Sequence, residues 1–354
     1  MSKRKITVCI LFGGRSGEHE VSLLSAQSIH KALDKNKYNV RLVGIDKKGK
    51  WLLGKASTYL LNSKDPSAIK LNTQTLVKTT PEEVRGVDVF FPITHGTYGE
   101  DGCLQGMLEL TNIAYVGAGV LGSAVGMDKD VMKRLLQAAK IPIAPFIALK
   151  RHEATNAALA AAVKKLHLPL FVKPANLGSS VGVTKAHSIV ELKEAVDTAF
   201  QYDTKILLEQ AVVGREVECS VLGNDKPIAS VPGEVKPQHE FYDYEAKYID
   251  EHGALLEIPA KLDKRTTKKV QDLAVKVFQV LECSGMARVD FFVKKNGKVL
   301  VNEINTLPGF TSISMYPKLW GKSGLTYTKL LDKLIEFAQE KKEQRDKLKR
   351  DYSA

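Results

Sequence analysis

The residues best placed to do chemistry lie in residues 287–305, ARVDFFVKKNGKVLVNEIN, where two apolar, β-branched runs flank Asn296-Gly297. That dipeptide suits the positive φ angles of a type I′ hairpin turn. A two-residue loop, or any symmetric widening of it, sets Asp290 opposite Glu303 and Arg288 opposite Asn305. The period of two puts all four side chains on one face. Directly opposed residues hold their Cβ atoms roughly 4.5–5.5 Å apart, where two carboxylates repel and call for a cation between them. Asp, Glu and Asn offer only oxygen, which suits a hard ion such as Mg²⁺ that also holds phosphates, and no clustered His or Cys points to zinc. The alternative is a solvated strand face. Phe291, Phe292, Val299, Leu300 and Val301 favour a sheet covered on both sides.

A second constellation lies upstream, where a strand carrying Lys173 is followed by Gly178-Ser179-Ser180-Val181-Gly182. Small residues, backbone donors and hydroxyls allow close approach to a phosphate. No Lys and helix follow as in a Walker loop, so the segment reads as a flap between strands. Glu209, at the end of KILLEQ, and Glu216 are spaced to accept hydrogen bonds from an adenine amine or ribose hydroxyls. Two similar patterns are set aside. Gly49, Gly54 and Lys55 have P-loop spacing, but Ala56 stands where Ser or Thr is needed, and Trp51-Leu52-Leu53 suits a strand. Residues 117–122, GAGVLG, match G-x-G-x-x-G, yet only a short strand precedes them and they read as a domain-linking loop.

The elements that must position these groups begin with a strand at 6–12, a glycine loop at 13–17 and a helix with Val21, Leu24, Ile29, Ala32 and Leu33 inward. A strand at 40–45, a polar insertion-like stretch at 46–86 and a strand at 87–93 ending in HGTYGEDG follow, then a helix at 104–110. This alternation predicts an open α/β domain with ligands beyond the strand carboxyl ends. Helices at 130–139, 153–166 and 188–200 alternate with strands near 146–149, 170–173 and 205–210; from 216 strands dominate until a helix at 264–281. Three domains are expected, with boundaries near 126 and 214.

Length and composition are those of an ordinary globular protein of two or three domains. The formal charge of +12 raises nucleic acid as a partner, but much of the excess lies in 261–269 and 341–350, where basic residues alternate with Asp, Glu and Gln as on a solvated helix face. Neither nucleic acid nor membrane is expected as a partner, since no apolar run reaches spanning length. Cys9, Cys103, Cys219 and Cys283 are far apart, which predicts reduced thiols, and no signal-peptide pattern opens the chain. A cytoplasmic location is the expectation.

The segments LFGGRSGEHEVS, HGTYGEDGCLQGMLEL, GMDK, VKPANLGSSVGV, FYDYEAKY, ARVDFF and VNEINTLPGFTS occur in this order. Through them the chain resembles the D-alanyl-D-alanine ligase family of the ATP-grasp superfamily over nearly its full length. The resemblance implies an α/β ATP-grasp fold of three α/β or α+β domains with the active site between them. These would be a 1–126 N-terminal open α/β substrate domain, a 127–214 central ATP-grasp subdomain and a 215–354 C-terminal subdomain with metal site and lid loop. It implies ATP-dependent, ADP-forming ligation of two D-alanine molecules through a D-alanyl phosphate, for peptidoglycan precursors, with two Mg²⁺ ions (or Mn²⁺) and a homodimer.

By the same resemblance Asp290, Glu303 and Asn305 are metal ligands, and Lys129, Lys173, Lys247, Ser180, Glu209 and Glu216 bind the nucleotide. Arg288 and the Gly309 amide form an oxyanion site. Glu18 binds the first substrate's ammonium with His95 nearby, and Ser314 binds the second substrate's carboxylate. Glu18, Ser179 and Tyr248 match a hydrogen-bonded trio that locks residues 242–248 over the site as a lid. Ligation of D-alanine to D-lactate or D-serine, or other ATP-grasp carboxylate–amine ligation, is the alternative. A nicotinamide dehydrogenase would need an acidic ribose reader about twenty residues after a glycine loop, and neither loop has a convincing one.

Overall fold

A computed structural model describes residues 4–62, 85–237 and 254–349. Its first sheet is built on β1 (Ile6–Gly13), whose apolar residues from Val8 to Phe12 are almost fully buried. β1 pairs in parallel with β2 (Tyr38–Ile45) on one side, and β3 (Trp51–Leu53) lies antiparallel beyond β2. On the other side β4 (Val89–Pro92) and β5 (Ala114–Tyr115) continue the parallel pairing, so the order is β3-β2-β1-β4-β5. The chain thus leaves β1 in one direction and returns to its other flank. The loops after β1 and β4 diverge there, opening the crevice in which α/β sheets bind ligands. Gly13, at φ +89°, lets the first loop turn: a Cβ there would lie 2.1 Å from the Ile45 carbonyl oxygen.

The second sheet is antiparallel, with β6 (Phe146–Lys150), β7 (Leu170–Pro174), β8 (Thr184–Ala186) and β9 (Lys205–Gln210) in the order β6-β9-β7-β8. Helices Asn156–Leu166 and Ile189–Ala199 bury Leu159, Leu192 and Val196 with Leu170, Val172 and Leu208. The third sheet holds β10 (Arg215–Gly223), β11 (Ile228–Ala229), β12 (Gly233–Pro237), β13 (Ala254–Glu257), β14 (Gly285–Val293) and β15 (Val299–Asn305). Its order is β13-β12-β10-β14-β15, with β11 beside β10. Helix Lys264–Val280 covers one face, joined by Met132 and Leu136 of helix Lys129–Ala138.

Asp290 does stand opposite Glu303 and Arg288 opposite Asn305, but by a different route from the expected turn. Lys294 accepts from Gly297 and donates to Lys298, and Gly297 has φ +75°. That is a three-residue loop with Gly in the left-handed position, not a two-residue type I′ turn. It slips the outer register by one residue, pairing Phe291 with Val301. A β-bulge between Asp290 and Phe291 then restores the inner register. Two irregularities cancel, and Asn302 is the extra residue.

A helix at Val120–Met127 was not expected from the glycine-rich GAGVLGSAVG. Each interior Gly costs a helix about 1 kcal/mol relative to Ala. Close packing accounts for them: a Cβ on Gly122 would lie 2.7 Å from the Glu282 carbonyl oxygen, and one on Gly126 2.7 Å from Thr306 Cγ2. Helix Tyr327–Asp346 brings the chain's end back to its beginning, burying Leu330, Leu331, Leu334 and Ile335 with Val8, Ile10, Val89 and Phe91 of the first sheet. Its basic end is not merely a solvated face. Lys341 Nζ donates to Ser284 Oγ at 2.7 Å, and Arg345 pairs with Glu109. The four cysteines are free, and among the described residues no helix is long and apolar enough to cross a membrane.

Candidate active site

A cavity of about 710 Å³ receives residues from all three sheets and their connections. Of the residues expected to act, it is lined by Glu18, His95, Lys129, Ser179, Glu216, Arg288, Asp290, Glu303, Asn305, Gly309 and Ser314. Lys173, Ser180 and Glu209 are not among its lining residues. Lys247 and Tyr248, with the expected lid, lie outside the described residues.

One wall is the exposed face of the third sheet. Glu218 on β10 pairs with Asp290 on β14, which pairs with Glu303 on β15, so three carboxylates cross three adjacent strands in a row. Such a row repels itself unless cations are interposed. Arg288 supplies one, donating from Nε to Asp290 Oδ1 at 2.8 Å and from its second terminal nitrogen to Oδ2 at 2.7 Å, with Nε also 3.0 Å from Glu218 Oε2. Lys129 supplies another, 3.7 Å from Glu303 Oε2 and donating to the Leu177 carbonyl at 2.6 Å. Asn305 Oδ1 accepts from the Leu307 amide at 3.1 Å. Among the described residues no three His, Cys, Asp or Glu side chains converge on a metal position. Asp290 and Glu303 are opposed across the strands and Asn305 follows on the same strand as Glu303, oxygen donors whose chemistry fits a hard cation such as Mg²⁺ with water and phosphate oxygens beside them.

The opposite wall is built by the divergent loops of the first sheet. Glu18 is 8% exposed and accepts a hydrogen bond from Ser179 Oγ of the second sheet's flap. Ser179 and Ser180 sit at φ +51° and +60°. Two successive non-glycine residues in the left-handed region store strain of the kind found at ligand clamps, and the turn is closed by the Val181 and Val183 amides, which donate to the Gly178 and Ser180 carbonyls at 3.2 Å. Gly96 (φ +72°) lies against this pair, since a Cβ on it would meet Glu18 Oε2 at 2.7 Å. His95 Nδ1 donates to the Leu307 carbonyl at 2.9 Å, leaving Nε2 toward Ser25 Oγ at 3.4 Å. Burial holds the His95 pKa below the usual value despite Glu18, so the ring is neutral near pH 7. Ser25 Oγ in turn accepts from the Phe310 amide at 3.1 Å, beside Gly309. Ser314 Oγ accepts from the Thr311 amide at 3.0 Å and caps no helix N–H.

Glu100, in the same HGTYGEDG loop, escaped the sequence reading. Its Oε1 accepts from the Gly96 amide at 2.9 Å while Oε2, though buried, has no hydrogen-bond partner among the described residues. Burial, then the charge of Glu18, pushes its pKa up to about 8. Glu218 escaped too, although the alternation Glu216, Glu218, Ser220 against Val217, Cys219, Val221 marks one polar face. Behind the cavity Glu209, 1% exposed, binds Lys173 Nζ through Oε1 and Lys133 Nζ through Oε2, both at 2.6 Å. Burial would raise the Glu209 pKa, but the two lysines outweigh it and hold it to about 2. Nothing local in KDVMKRLLQA marks Lys133 as the one to be buried.

Models of the D-ala D-ala ligase N-terminus and C-terminus match residues 7–118 and 135–336. The chain belongs to the D-alanine–D-alanine ligase family. It is 52% identical over 351 residues to D-alanine–D-alanine ligase A of Chromobacterium violaceum, covering 95% of this chain and 96% of that one. Its identity and coverage with the Escherichia coli K12 enzyme of the same name are the same. Among solved structures, the D-alanine-D-alanine ligase of Coxiella burnetii matches with a TM-score of 0.86 at 40% identity, covering 98% of this chain and 97% of that one. The VanG D-Ala:D-Ser ligase of Enterococcus faecalis matches with a TM-score of 0.84 at 34% identity, covering 95% and 100%. The three sheets are thus the ATP-grasp fold of this ligase family.

Proposed function

We propose that the protein joins two D-alanines to D-alanyl-D-alanine for peptidoglycan precursors, using ATP and releasing ADP and phosphate by way of a D-alanyl phosphate. The observation that carries this reading is the cavity itself, where the carboxylate row faces the Glu18–Ser179 pair, in a member of this ligase family. Glu18 offers its carboxylate to the ammonium of the first D-alanine. Carboxylate phosphorylation and attack by the second amine both move negative charge onto oxygen, so fixed cations and oriented donors supply most of the rate. Arg288 and the Gly309 amide serve that charge, and Ser314 the second substrate's carboxylate. Lys129 and Lys173 meet the phosphates, with Lys247; Ser180, Glu209 and Glu216 complete the nucleotide's surroundings.

Asp290, Glu303 and Asn305 would hold Mg²⁺, two ions in our reading, with Mn²⁺ able to substitute. When bound, such ions neutralise phosphate charge and orient the transferred group. Asp290, now held by Arg288, would turn to such an ion, and the Arg288 guanidinium would then serve the oxyanion. We read the parts of the chain as 1–126, 127–214 and 215–354, the enzyme as cytoplasmic and a homodimer, and Tyr248 as the lid residue that bonds to Ser179 and Glu18. D-Serine is retained as an alternative second substrate because of the likeness to the VanG enzyme. Phosphate release from ATP is to be measured with D-alanine alone and with D-serine or D-lactate added, and products separated by chromatography. ADP and D-alanyl-D-alanine in equal amounts are expected. AMP with pyrophosphate, or mainly a mixed product at neutral pH, overturns the reading.

A further inference from the structure

Lys133 has no part in the chemistry above, yet it is more deeply buried than either Lys129 or Lys173. Its side chain is 1% exposed, against 12% each for Lys129 and Lys173. It stands on helix Lys129–Ala138, whose Met132 and Leu136 belong to the core of the third sheet, but its ammonium reaches across to Glu209 on β9 of the second sheet. It also donates to the carbonyl of Asn302 at 3.4 Å, the extra residue of the bulge next to Glu303, and lies over the Phe146 ring at 5.9 Å. Burying an ammonium is unfavourable unless its partners repay the lost hydration. Core packing alone would be served better by Met or Leu.

Charge gives the reason. Glu209 divides its two oxygens between two lysines, so with both ammonium groups protonated the group of three carries one net positive charge; burial draws the Lys133 pKa down, and the Glu209 carboxylate at 2.6 Å opposes it. A Lys173–Glu209 pair alone would be neutral and would have little to offer an anion. We propose that Lys133 is a positioning residue for the nucleotide: by occupying one oxygen of Glu209 it leaves a net positive charge to be presented through Lys173. Its bond to Asn302 ties that charge to the strand bearing Glu303. The inference rests on the reading of Lys173 as a phosphate-binding residue.

A purely structural lysine and a charge-supplying one differ in which ligand they affect. Affinities of the full-length protein for ATP and for adenosine, which lacks phosphates, should therefore be compared by equilibrium competition. Lys133→Met should weaken ATP on the order of tenfold and leave adenosine within about twofold. Lys133→Gln, which keeps a donor to Glu209 without the charge, should do the same. The double variant Lys133→Met/Glu209→Gln removes both charges, leaves Lys173 alone with its own, and should return the ATP-to-adenosine ratio to near the wild-type value. It replaces a buried ion pair by neutral isosteres, the change that folded proteins tolerate best at such sites. Loss of ATP and adenosine affinity together in either single variant, or a double variant whose ATP-to-adenosine ratio stays low, overturns the proposal; the double variant is judged on that ratio alone, because Glu209 belongs to the nucleotide's surroundings. Phosphate release with D-alanine by the wild type, measured on the same preparation, separates the outcomes: its absence sinks the ligase reading, while the affinity ratios still judge Lys133.

Discussion

Glu100→Gln should make the ligand-free protein more stable at neutral pH, against the usual result of altering a buried polar residue. Glu100 is 7% exposed, and burial followed by the charge of Glu18 raises its pKa from the ordinary 4.5 to about 8. Lys129 and Arg288 and the Gly96 amide pull the other way without prevailing. An unfolded chain releases this proton near pH 4.5, whereas the folded protein keeps it to about pH 8. The folded state therefore binds more protons throughout that window, and stability falls as pH rises through it. At about 1.4 kcal/mol per pH unit, the loss attributable to this one side chain reaches roughly 3 kcal/mol by pH 7 and levels off above pH 8. Glutamine mimics the protonated acid, keeps an acceptor for Gly96, and has no proton to lose. Urea unfolding of both proteins from pH 4.5 to 8.5 should give curves that separate as pH rises, with the variant ahead by roughly 3 kcal/mol at pH 7. Parallel curves, or a variant that loses ground with rising pH, would refute the reasoning.

Glu303→Gln removes the repulsion with Asp290, so ligand-free stability should hold or rise by up to about 1 kcal/mol, while turnover falls by about two orders of magnitude or more. Wild-type turnover in that variant sinks the metal assignment. Gly309→Ala would bring a Cβ within 2.8 Å of Ser314 Oγ; the second-substrate KM should rise roughly tenfold with an unchanged circular dichroism spectrum, and an unaltered KM removes Ser314 from that role. Lys205 Nζ bonds both Asp128 oxygens at 2.8 Å and Asp130 at 3.0 Å. Burial lowers its pKa but these bonds outweigh it and leave the pKa raised, so its stabilisation is present at neutral pH and fades only above the usual lysine range. Lys205→Met should cost roughly 1–2 kcal/mol in thermal or urea unfolding at pH 7, and a neutral result would show the pair to be inert.

Much of the site was legible because the relevant information is local. The alternation in ARVDFF and VNEIN is a property of contiguous residues: it puts Arg288 with Asp290, and Glu303 with Asn305, on one face of their strands, and the register of the hairpin makes the two faces one. The order of strands and helices around the glycine loop at 13–17 and the HGTYGEDG loop likewise determined an open α/β unit with its crevice beyond β1 and β4. Tertiary structure decided the rest, since it rests on partners distant in the chain. The hairpin's true loop and bulge cancel only when strand pairing is seen whole. The helix Val120–Met127 exists because its glycines admit the 282–283 backbone and Thr306, which no propensity records. The state of each buried charge followed the same rule. Glu100 is forced toward neutrality by burial and then by Glu18, 82 positions away, while Glu209, which burial alone would neutralise, is kept ionised by Lys133 and Lys173. A carboxylate's neighbours in sequence say little about its charge, because desolvation and Coulomb energy depend on what the fold packs against it.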